Sequence, residues 1–315
     1  MHNQNLKKVN IASLKSQPFW AYLQLMRPAN IITAWADILA GYAASGFVLA
    51  LTSMQTEPIS FVPLAWLLLS TTGLYGGGVV FNDVFDAEID AQERPERPIP
   101  SRRASTQGAA WLGSLLLIIG VAAASQVTLL SFTLATSIAL AALLYDQVAK
   151  HHPWLGPLNM GICRGGNLLL GVSALPVMLE QRWFLALIPI AYIAAITAIS
   201  QGEVHGGKSS TGILALLLIG AVISGILALG LLRDYQVFAA VPFAALLSWR
   251  VLPPFVKAAR EPSPELIRCA VKAGVLSLIV LDAAIAAGFA GLSYGLVVLS
   301  LLLISMALAP LFAVT

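Results

Sequence analysis

Three aspartates near the end of the second apolar run have the residue type and the spacing of a metal site. Asp83, Asp86 and Asp90 stand at positions i, i+3 and i+7, so a helix would place all three on one face. Three carboxylates this close repel one another unless a cation lies between them. Carboxylate oxygens suit Mg²⁺, which proteins commonly hold through one or two carboxylates and the phosphates of a substrate. The spacing therefore favours a magnesium ion bound together with a phosphorylated ligand.

Arginines follow these aspartates directly. Arg94 and Arg97 come just after Asp90, and a guanidinium can bind two phosphate oxygens at once. The alternative is a solvated loop in which acidic and basic side chains pair with one another. However, the carboxylates begin directly after the apolar residues 79–81, and ionisable groups at that depth in a membrane span are costly and usually functional. Carboxylates for a metal and guanidiniums for an anion together indicate a metal-bound diphosphate.

The composition shows what kind of elements must position these residues. Of the 315 residues, 58% are hydrophobic and 10% are charged, whereas a soluble domain has about a quarter charged residues. A single soluble core could not bury so much apolar surface, so lipid must cover much of the chain. We predict one all-α domain over residues 1–315. Runs of about twenty apolar residues, each enough to cross a bilayer, predict helices at 29–51, 61–81, 108–125, 127–145, 157–178, 183–201, 211–232 and 236–256, and two more within 271–312.

The basic residues predict the orientation of these spans. All of the 18 Lys and Arg residues except Arg182 and Arg233 fall on one side of the predicted helices. In membrane proteins the cytoplasmic loops carry an excess of Lys and Arg. We therefore expect the N-terminal segment 1–21 and the loop that carries the aspartates to be cytoplasmic.

The aspartate segment resembles a known family motif. Asn82-Asp83-x-x-Asp86-x-x-x-Asp90, followed by Arg94 and Arg97-Pro-Ile, resembles the first aspartate motif of the UbiA superfamily of intramembrane prenyltransferases. The resemblance covers most of residues 22–260. Within the superfamily the sequence is most similar to the EboC-like branch, which is known from bacterial gene clusters. Further matching motifs are Arg27-Pro28-x-Asn30, Tyr145-Asp146-x-x-x-Lys150 and Gly161-x-x-Arg164-Gly165-x-Asn167.

This resemblance implies a fold and an activity. The fold would be a UbiA-like bundle of nine to ten transmembrane helices in a bacterial inner (plasma) membrane, with a cavity open to the cytoplasmic side and to lipid. The activity would be Mg²⁺-dependent transfer of a prenyl group from a prenyl diphosphate to a small acceptor. Most relatives prenylate aromatic rings, while the EboC-like branch suggests a polar, cyclitol-like acceptor. The expected partners are prenyl diphosphate, an acceptor of one of these kinds and membrane lipid, with no nucleic acid.

The resemblance also implies roles for individual residues. The expected catalytic and metal-binding residues are Asp83, Asp86, Asp90 and Glu203. The residues expected to contact the diphosphate are Asn82, Arg94, Arg97, Arg102, Lys150 and Lys208. The residues expected to line the substrate cavity are Arg27, Asn30, Tyr145, Asp146, Arg164 and Asn167.

Some of these cavity residues have a purely structural alternative. Arg27 and Asn30 could anchor the end of a helix instead. Arg164 and Asn167 could be a snorkelling arginine and a packed amide. Two more carboxylates inside apolar runs have no assigned role: Asp37 and Asp282.

The sequence departs from the family pattern after the sixth span, where a second aspartate motif is expected. Residues 200–211 contain one carboxylate, Glu203, and no aspartate. Glu203 could suffice for a second Mg²⁺, and Lys208 with the amides of Gly206 and Gly207 could bind phosphate directly. We expect these two together. The alternatives are a noncatalytic isoprenoid-binding protein, or a transporter of a lipid or precursor built on the same fold.

Overall fold

The computed structural model describes residues 18–48, 61–309 and 311–312, and this part of the chain is an all-helical bundle, as predicted. Short 3₁₀ turns follow three of its helices at Ala149–His151, Trp183–Ala186 and Leu229–Leu231. The α-helices are α1 (Pro18–Met26), α2 (Pro28–Ala44), α3 (Val62–Phe85), α4 (Ala87–Glu93), α5 (Thr106–Ser125), α6 (Leu129–Gln147), α7 (Leu155–Val172), α8 (Pro176–Arg182), α9 (Leu187–Ser200), α10 (Ser209–Ala228), α11 (Val237–Arg260), α12 (Pro264–Ala290) and α13 (Leu292–Leu308).

Within the described part of the chain, seven helical segments are long and apolar enough to cross a membrane: α3, α5, α6, the α8–α9 segment Pro176–Ser200, α10 with its 3₁₀ turn, α11 and α12. Helix α13 is a shorter apolar helix. With α2 and α7, the described residues contain a helical segment for each of the ten predicted spans. Gly291, at φ 86°, separates α12 from α13.

Helix boundaries differ from the apolar runs in two places that matter for the site. Helix α3 continues past residue 81 to Phe85, and α12 begins at Pro264 rather than near 271. An apolar run marks the part of a helix that lies at the depth of the hydrocarbon core, whereas backbone hydrogen bonds continue through polar residues at its ends. Residues 1–17 of the predicted N-terminal segment and 49–51 of the first predicted span lie outside the described residues.

Helices α2 and α7 cross with their backbones in direct contact. A Cβ atom on Gly41 would lie 2.0 Å from the carbonyl oxygen of Leu168, and one on Gly171 would lie 2.4 Å from that of Ile38. Only glycine permits so close an approach. The crossing brings one face of α2 against the polar residues of α7 that line the site.

We expect Gly41→Ala to lower the thermal stability of the purified protein, because the added methyl group must push α2 away from α7. Overpacking of this kind costs about 1–3 kcal/mol. Gly220→Ala in α10 is the matched control, since a Cβ there meets nothing within 4 Å. Thermal unfolding in detergent should show a lower Tm for the first variant only. Equal Tm values for the two variants would contradict the tight crossing.

Helix α12 lies inside the bundle. It packs against α2, α9, α11 and α13, and its residues 276–289 are buried on every side. A helix that is buried all round is a core element rather than a lipid-facing one. Helices α2, α7 and α12 therefore form the scaffold behind the functional site, while the ends of α3 and α6 supply its polar residues.

Candidate active site

The aspartate segment is two helices joined at Asp86, not one continuous helix. Asn82 and Asp83 occupy the last turn of α3, Asp86 stands at the junction with φ −88° and ψ 3°, and Asp90 lies in α4. Asp83 and Asp90 still face each other, because both accept hydrogen bonds from Nη1 of Arg97, at 3.4 and 2.6 Å. Oδ1 of Asp86 instead accepts a hydrogen bond from Nζ of Lys150.

Each of these carboxylates is paired with a cation from another part of the chain. Nη2 of Arg27 lies 2.7 Å from Oδ1 of Asp83, and Nζ of Lys150, beyond α6, lies 2.5 Å from Oδ1 of Asp86. Arg27 joins α1 to α2 in the left-handed region at φ 47°. Non-glycine residues rarely adopt that conformation, and such strain concentrates at functional sites.

The surroundings of Asp90 change its pKa. Burial raises the pKa of Asp90 above its ordinary value, while the hydrogen bond and charge of Arg97 oppose part of that increase. The neighbouring carboxylates Asp83 and Asp86 add to the increase by repulsion. A cation placed among these three side chains would relieve that repulsion, as the spacing predicted.

Asp86 and Asp90 face a cavity of about 450 Å³, which we call the main cavity, whereas Asp83, also predicted as a metal ligand, does not line it. One end is polar and the other is an apolar wall made by α9 and α12. The polar end contains Asn82, Asp86, Asp90, Glu93, Arg94, Arg97, Lys150 and Glu203, with Arg27 and Asn30 beside them. The apolar wall consists of Ile193, Ile196, Val271, Val275 and Leu278.

A second, inner cavity of about 230 Å³ lies between α3, α6 and α7. Asp146, Cys163 and Asn167 line this cavity but not the main one, and Nδ2 of Asn82 donates to Oδ1 of Asp146 at 2.9 Å. The two cavities adjoin, because both are lined by Arg27, Tyr75, Asn82, Tyr145, Met160 and Arg164.

Glu203 reaches the main cavity from the loop after α9. Its Oε1 is buried and accepts no hydrogen bond from any residue that the structure describes. Burial raises the pKa of Glu203, and the positive charges of Arg94 and Arg268 oppose part of that increase. A buried carboxylate oxygen without a donor is a candidate ligand for a cation.

An outer cavity of about 370 Å³ continues from Glu203 towards Asp83. Arg94, Arg97, Arg103 and Arg268 line it. Sequence reasoning missed Arg268 as a site residue, since it looked like one more cytoplasmic charge. The signal was present only in the helical register of α12, where Arg268 precedes Val271 and Val275 of the main cavity.

The structure does not bring two of the predicted diphosphate ligands to the site. Arg102 and Lys208 are exposed and line none of the three cavities. The amides of Gly206 and Gly207 donate instead to the carbonyl oxygens of Gly202 and Pro262, both at 3.0 Å. The amides expected to cradle a phosphate after α9 therefore make backbone hydrogen bonds instead, and Glu203 is the residue of that loop that lines the main cavity.

The remaining donor set suits Mg²⁺ only in combination with a substrate. Among the described residues, no three His, Cys, Asp or Glu side chains converge closely enough to hold a metal ion by themselves. Asp86, Asp90 and Glu203 nevertheless face the same main cavity, and they offer only oxygen ligands. Mg²⁺ is commonly bound by one or two carboxylates together with substrate phosphates, so the residues present fit that mode of binding.

Comparison with known proteins identifies the family. The model of the UbiA prenyltransferase family matches residues 42–267. The chain belongs to this family. It is a UbiA-type prenyltransferase and an integral membrane protein, and the resemblance inferred from the aspartate motif is confirmed at the level of the superfamily. The similarity to the EboC-like branch stays a prediction.

Individual UbiA relatives agree with this assignment. Digeranylgeranylglyceryl phosphate synthase of Methanothrix thermoacetophila is 32% identical over 239 residues, which cover 71% of this chain and 85% of the relative. The enzyme of the same name from Sulfurisphaera tokodaii is 29% identical, over 56% of this chain and 60% of the relative.

Solved structures show the same fold. The apo UbiA homologue from Aeropyrum pernix K1 superposes with a TM-score of 0.66 at 17% identity, and the match covers 81% of this chain and 96% of that one. A UbiA homologue from Archaeoglobus fulgidus bound to GPP and Mg²⁺ superposes with a TM-score of 0.61 at 16% identity, covering 89% and 99%. The UbiA fold predicted from the motifs is therefore confirmed.

Proposed function

We propose that this prenyltransferase uses Mg²⁺ and a prenyl diphosphate, and that it transfers the prenyl group to a small polar acceptor. The observation that carries the proposal is the main cavity, which joins a carboxylate- and cation-lined end to an apolar wall. A diphosphate fits the first environment and an isoprenoid chain fits the second. The homologue that binds GPP and Mg²⁺ supports this choice of ligands.

The residues of the polar end would hold the diphosphate. Asp86, Asp90 and Glu203 would bind Mg²⁺ against it, and Asp83 would keep Arg27 and Arg97 in place. When bound, the metal would supply positive charge that stabilises the leaving pyrophosphate. Arg94, Arg97 and Lys150 would add to that stabilisation, because preorganised cations act strongly in a site from which water is excluded. We propose no phosphate contact for Arg102 or Lys208.

The transfer breaks one C–O bond, forms another and releases one proton from the acceptor. The bond between C1 of the prenyl group and the diphosphate oxygen breaks, and its electron pair leaves with the pyrophosphate. The apolar wall and the rings of Tyr75 and Tyr145 would exclude water and favour the allylic cation. An oxygen of the acceptor would then bond to C1 and give its proton to the leaving pyrophosphate, so that the products are a prenyl ether and protonated pyrophosphate.

We propose a polar, hydroxyl-bearing acceptor, such as a cyclitol-like molecule, rather than an aromatic ring. The inner cavity supports this choice, because Asn82, Asp146, Arg164 and Asn167 give it several hydrogen-bonding groups within about 230 Å³. The basic residues around the site support a position on the cytoplasmic side of a bacterial inner membrane. We further propose that residues 1–315 form a single domain.

The proposal is tested with purified protein, Mg²⁺, labelled GPP and a cell extract as the source of acceptor. We expect labelled lipid-soluble product and equimolar pyrophosphate, both of which should vanish when EDTA removes Mg²⁺. Boiled protein with the same extract is the control for transfer by other enzymes. Binding or transbilayer movement of the label without pyrophosphate release would instead indicate the noncatalytic or transport function.

A further inference from the structure

A buried polar cluster lies beside the two cavities, and two of its members, Asp37 and Asp282, have no role in the proposed reaction. It consists of Asp37 in α2, Arg164 and Asn167 in α7, and Asp282 in α12. Asp37 and Asp282 are 0% exposed, and neither lines the main or the inner cavity. Asn167 lines the inner cavity and Arg164 lines both cavities, so Arg164 is the member of the cluster that reaches their junction.

Helix α2 holds the guanidinium of Arg164 at several points. Its Nε lies 3.0 Å from Oδ2 of Asp37, and its Nη2 donates to Oδ1 of Asp37 at 3.2 Å and to the carbonyl oxygen of Thr33 at 3.1 Å. Asn167 also donates to Oδ2 of Asp37, at 2.8 Å. Nε makes no aligned hydrogen bond with a described residue, so the guanidinium is oriented by the two bonds of Nη2 and by its ion pair with the Asp37 carboxylate. Asp37 thus determines where Arg164 presents its charge, beside the ring of Tyr75 at 5.7 Å.

The cluster contains two carboxyl groups and only one guanidinium. The carboxyl group of Asp282 contacts that of Asp37, yet neither of its oxygens accepts a hydrogen bond from a donor group within the described residues. Two ionised carboxylates in contact, away from water, would repel each other strongly. A protonated carboxyl group, by contrast, is a hydrogen-bond donor. A proton on Asp282 lets this side chain donate to Asp37 and leaves Asp37 as the single counter-ion of Arg164.

We propose that Asp37 is a positioning residue that fixes Arg164 at the junction of the two cavities, and that Asp282 supports it as a neutral, proton-bearing hydrogen-bond donor. Three helices then set one cation at the point where the prenyl diphosphate and the acceptor meet. Without Asp37, Arg164 could turn towards the carboxylates of the cavities, such as Asp146. The kinetic consequence rests on the proposed prenyl transfer, whereas the proton on Asp282 does not.

A double-mutant cycle on GPP turnover tests the positioning role. We expect Arg164→Gln and Asp37→Asn each to lower kcat by roughly 10–100-fold, with the KM for GPP changing less than about threefold, because the binding groups of the polar end remain. The double variant should be no slower than Arg164→Gln alone, since Asp37 acts through that residue. If the double variant lost the product of the two single losses in kcat, the proposal would be overturned. It would also be overturned if Asp37→Asn lowered Tm but left kcat unchanged.

The proton on Asp282 is tested separately with two replacements of similar size. Asp282→Asn keeps a hydrogen-bond donor towards Asp37, so kcat should stay within about threefold and Tm near that of the unaltered protein. Asp282→Leu removes the donor, so kcat and Tm should both fall. Infrared spectra should show a protonated-carboxyl band that Asp282→Asn lacks. Equal damage by Asn and Leu, or no such band, would overturn a proton on Asp282.

Failure of the proposed function would look different from failure of this inference. If the unaltered protein releases no pyrophosphate from GPP, the proposed function is wrong, and the positioning role of Asp37 in that reaction is overturned with it. The comparison of Tm and infrared spectra between Asp282→Asn and Asp282→Leu would still decide where the proton lies. If the unaltered protein is active and the cycle is additive, only the inference is wrong.

Discussion

Asp86→Ala should lower the rate of prenyl transfer by about 10²–10³-fold, the loss that follows removal of one preorganised group that stabilises charge in a transition state. Asp86 faces the main cavity at the junction of α3 and α4, and its Oδ1 lies 2.5 Å from Nζ of Lys150. Its removal takes away a proposed metal ligand. It also leaves Lys150 without its partner at the point where the diphosphate is to bind.

The measurement is the initial rate of pyrophosphate release from GPP, with Mg²⁺ and acceptor present. Glu88→Ala is the matched control, because Glu88 is an exposed carboxylate of the same short helix that lines none of the three cavities. The control should keep its rate within about threefold, as most exposed substitutions have small effects. A rate of Asp86→Ala similar to that of Glu88→Ala would show that the carboxylates were assigned to the wrong role.

The meeting of Asp83 and Asp90 could be predicted because its information is local. A spacing of three and four residues brings side chains to one helix face whatever the rest of the chain does, and Asp83 and Asp90 do meet, at Arg97. The break at Asp86 could not be predicted in this way, because residue spacing does not show where one helix ends and the next begins. Contacts such as Arg27 with Asp83 join positions far apart in sequence, and no local pattern specifies them.

The helices were predictable for a related reason. A bilayer demands about twenty apolar residues per span, and this demand marks each helix in the sequence independently of the others. The contacts between helices could not be predicted in this way. The direct contact of α2 with α7 at Gly41, and the meeting of Asp37 with Asp282, depend on how complete helices pack. In the sequence these aspartates were two costly charges without a partner, and only their juxtaposition suggests a use.

The loop after α9 shows the opposite error, in which a plausible local pattern misled. Two glycines followed by a lysine resemble a phosphate-binding turn. In the structure the two glycine amides close the loop on the carbonyl oxygens of Gly202 and Pro262, and Lys208 is exposed. Backbone amides need hydrogen-bond acceptors, and here Gly202 of the same loop and Pro262, between α11 and α12, provide them. The single carboxylate of this loop is what remains for the chemistry.

Glu203→Gln should therefore be far more damaging than Lys208→Ala. Glutamine keeps the shape of the side chain but not the charge that would bind a cation, so we expect a loss of roughly 10²-fold in rate. The Mg²⁺ concentration for half-maximal rate should also rise, because an anionic oxygen ligand becomes a neutral amide. Lys208→Ala should stay within about threefold, since Lys208 lines none of the three cavities.

A Mg²⁺ titration of these two variants distinguishes two explanations for the missing second aspartate motif: that Glu203 binds the metal, or that Lys208 replaces it. If Glu203 acts through the metal, excess Mg²⁺ should recover part of the lost rate in Glu203→Gln. If Lys208 instead replaces the metal, Lys208→Ala should raise the KM for GPP, and Glu203→Gln should leave the Mg²⁺ requirement unchanged. Because Oε1 of Glu203 is buried without a donor among the described residues, a cation in the occupied site is the partner that would satisfy it.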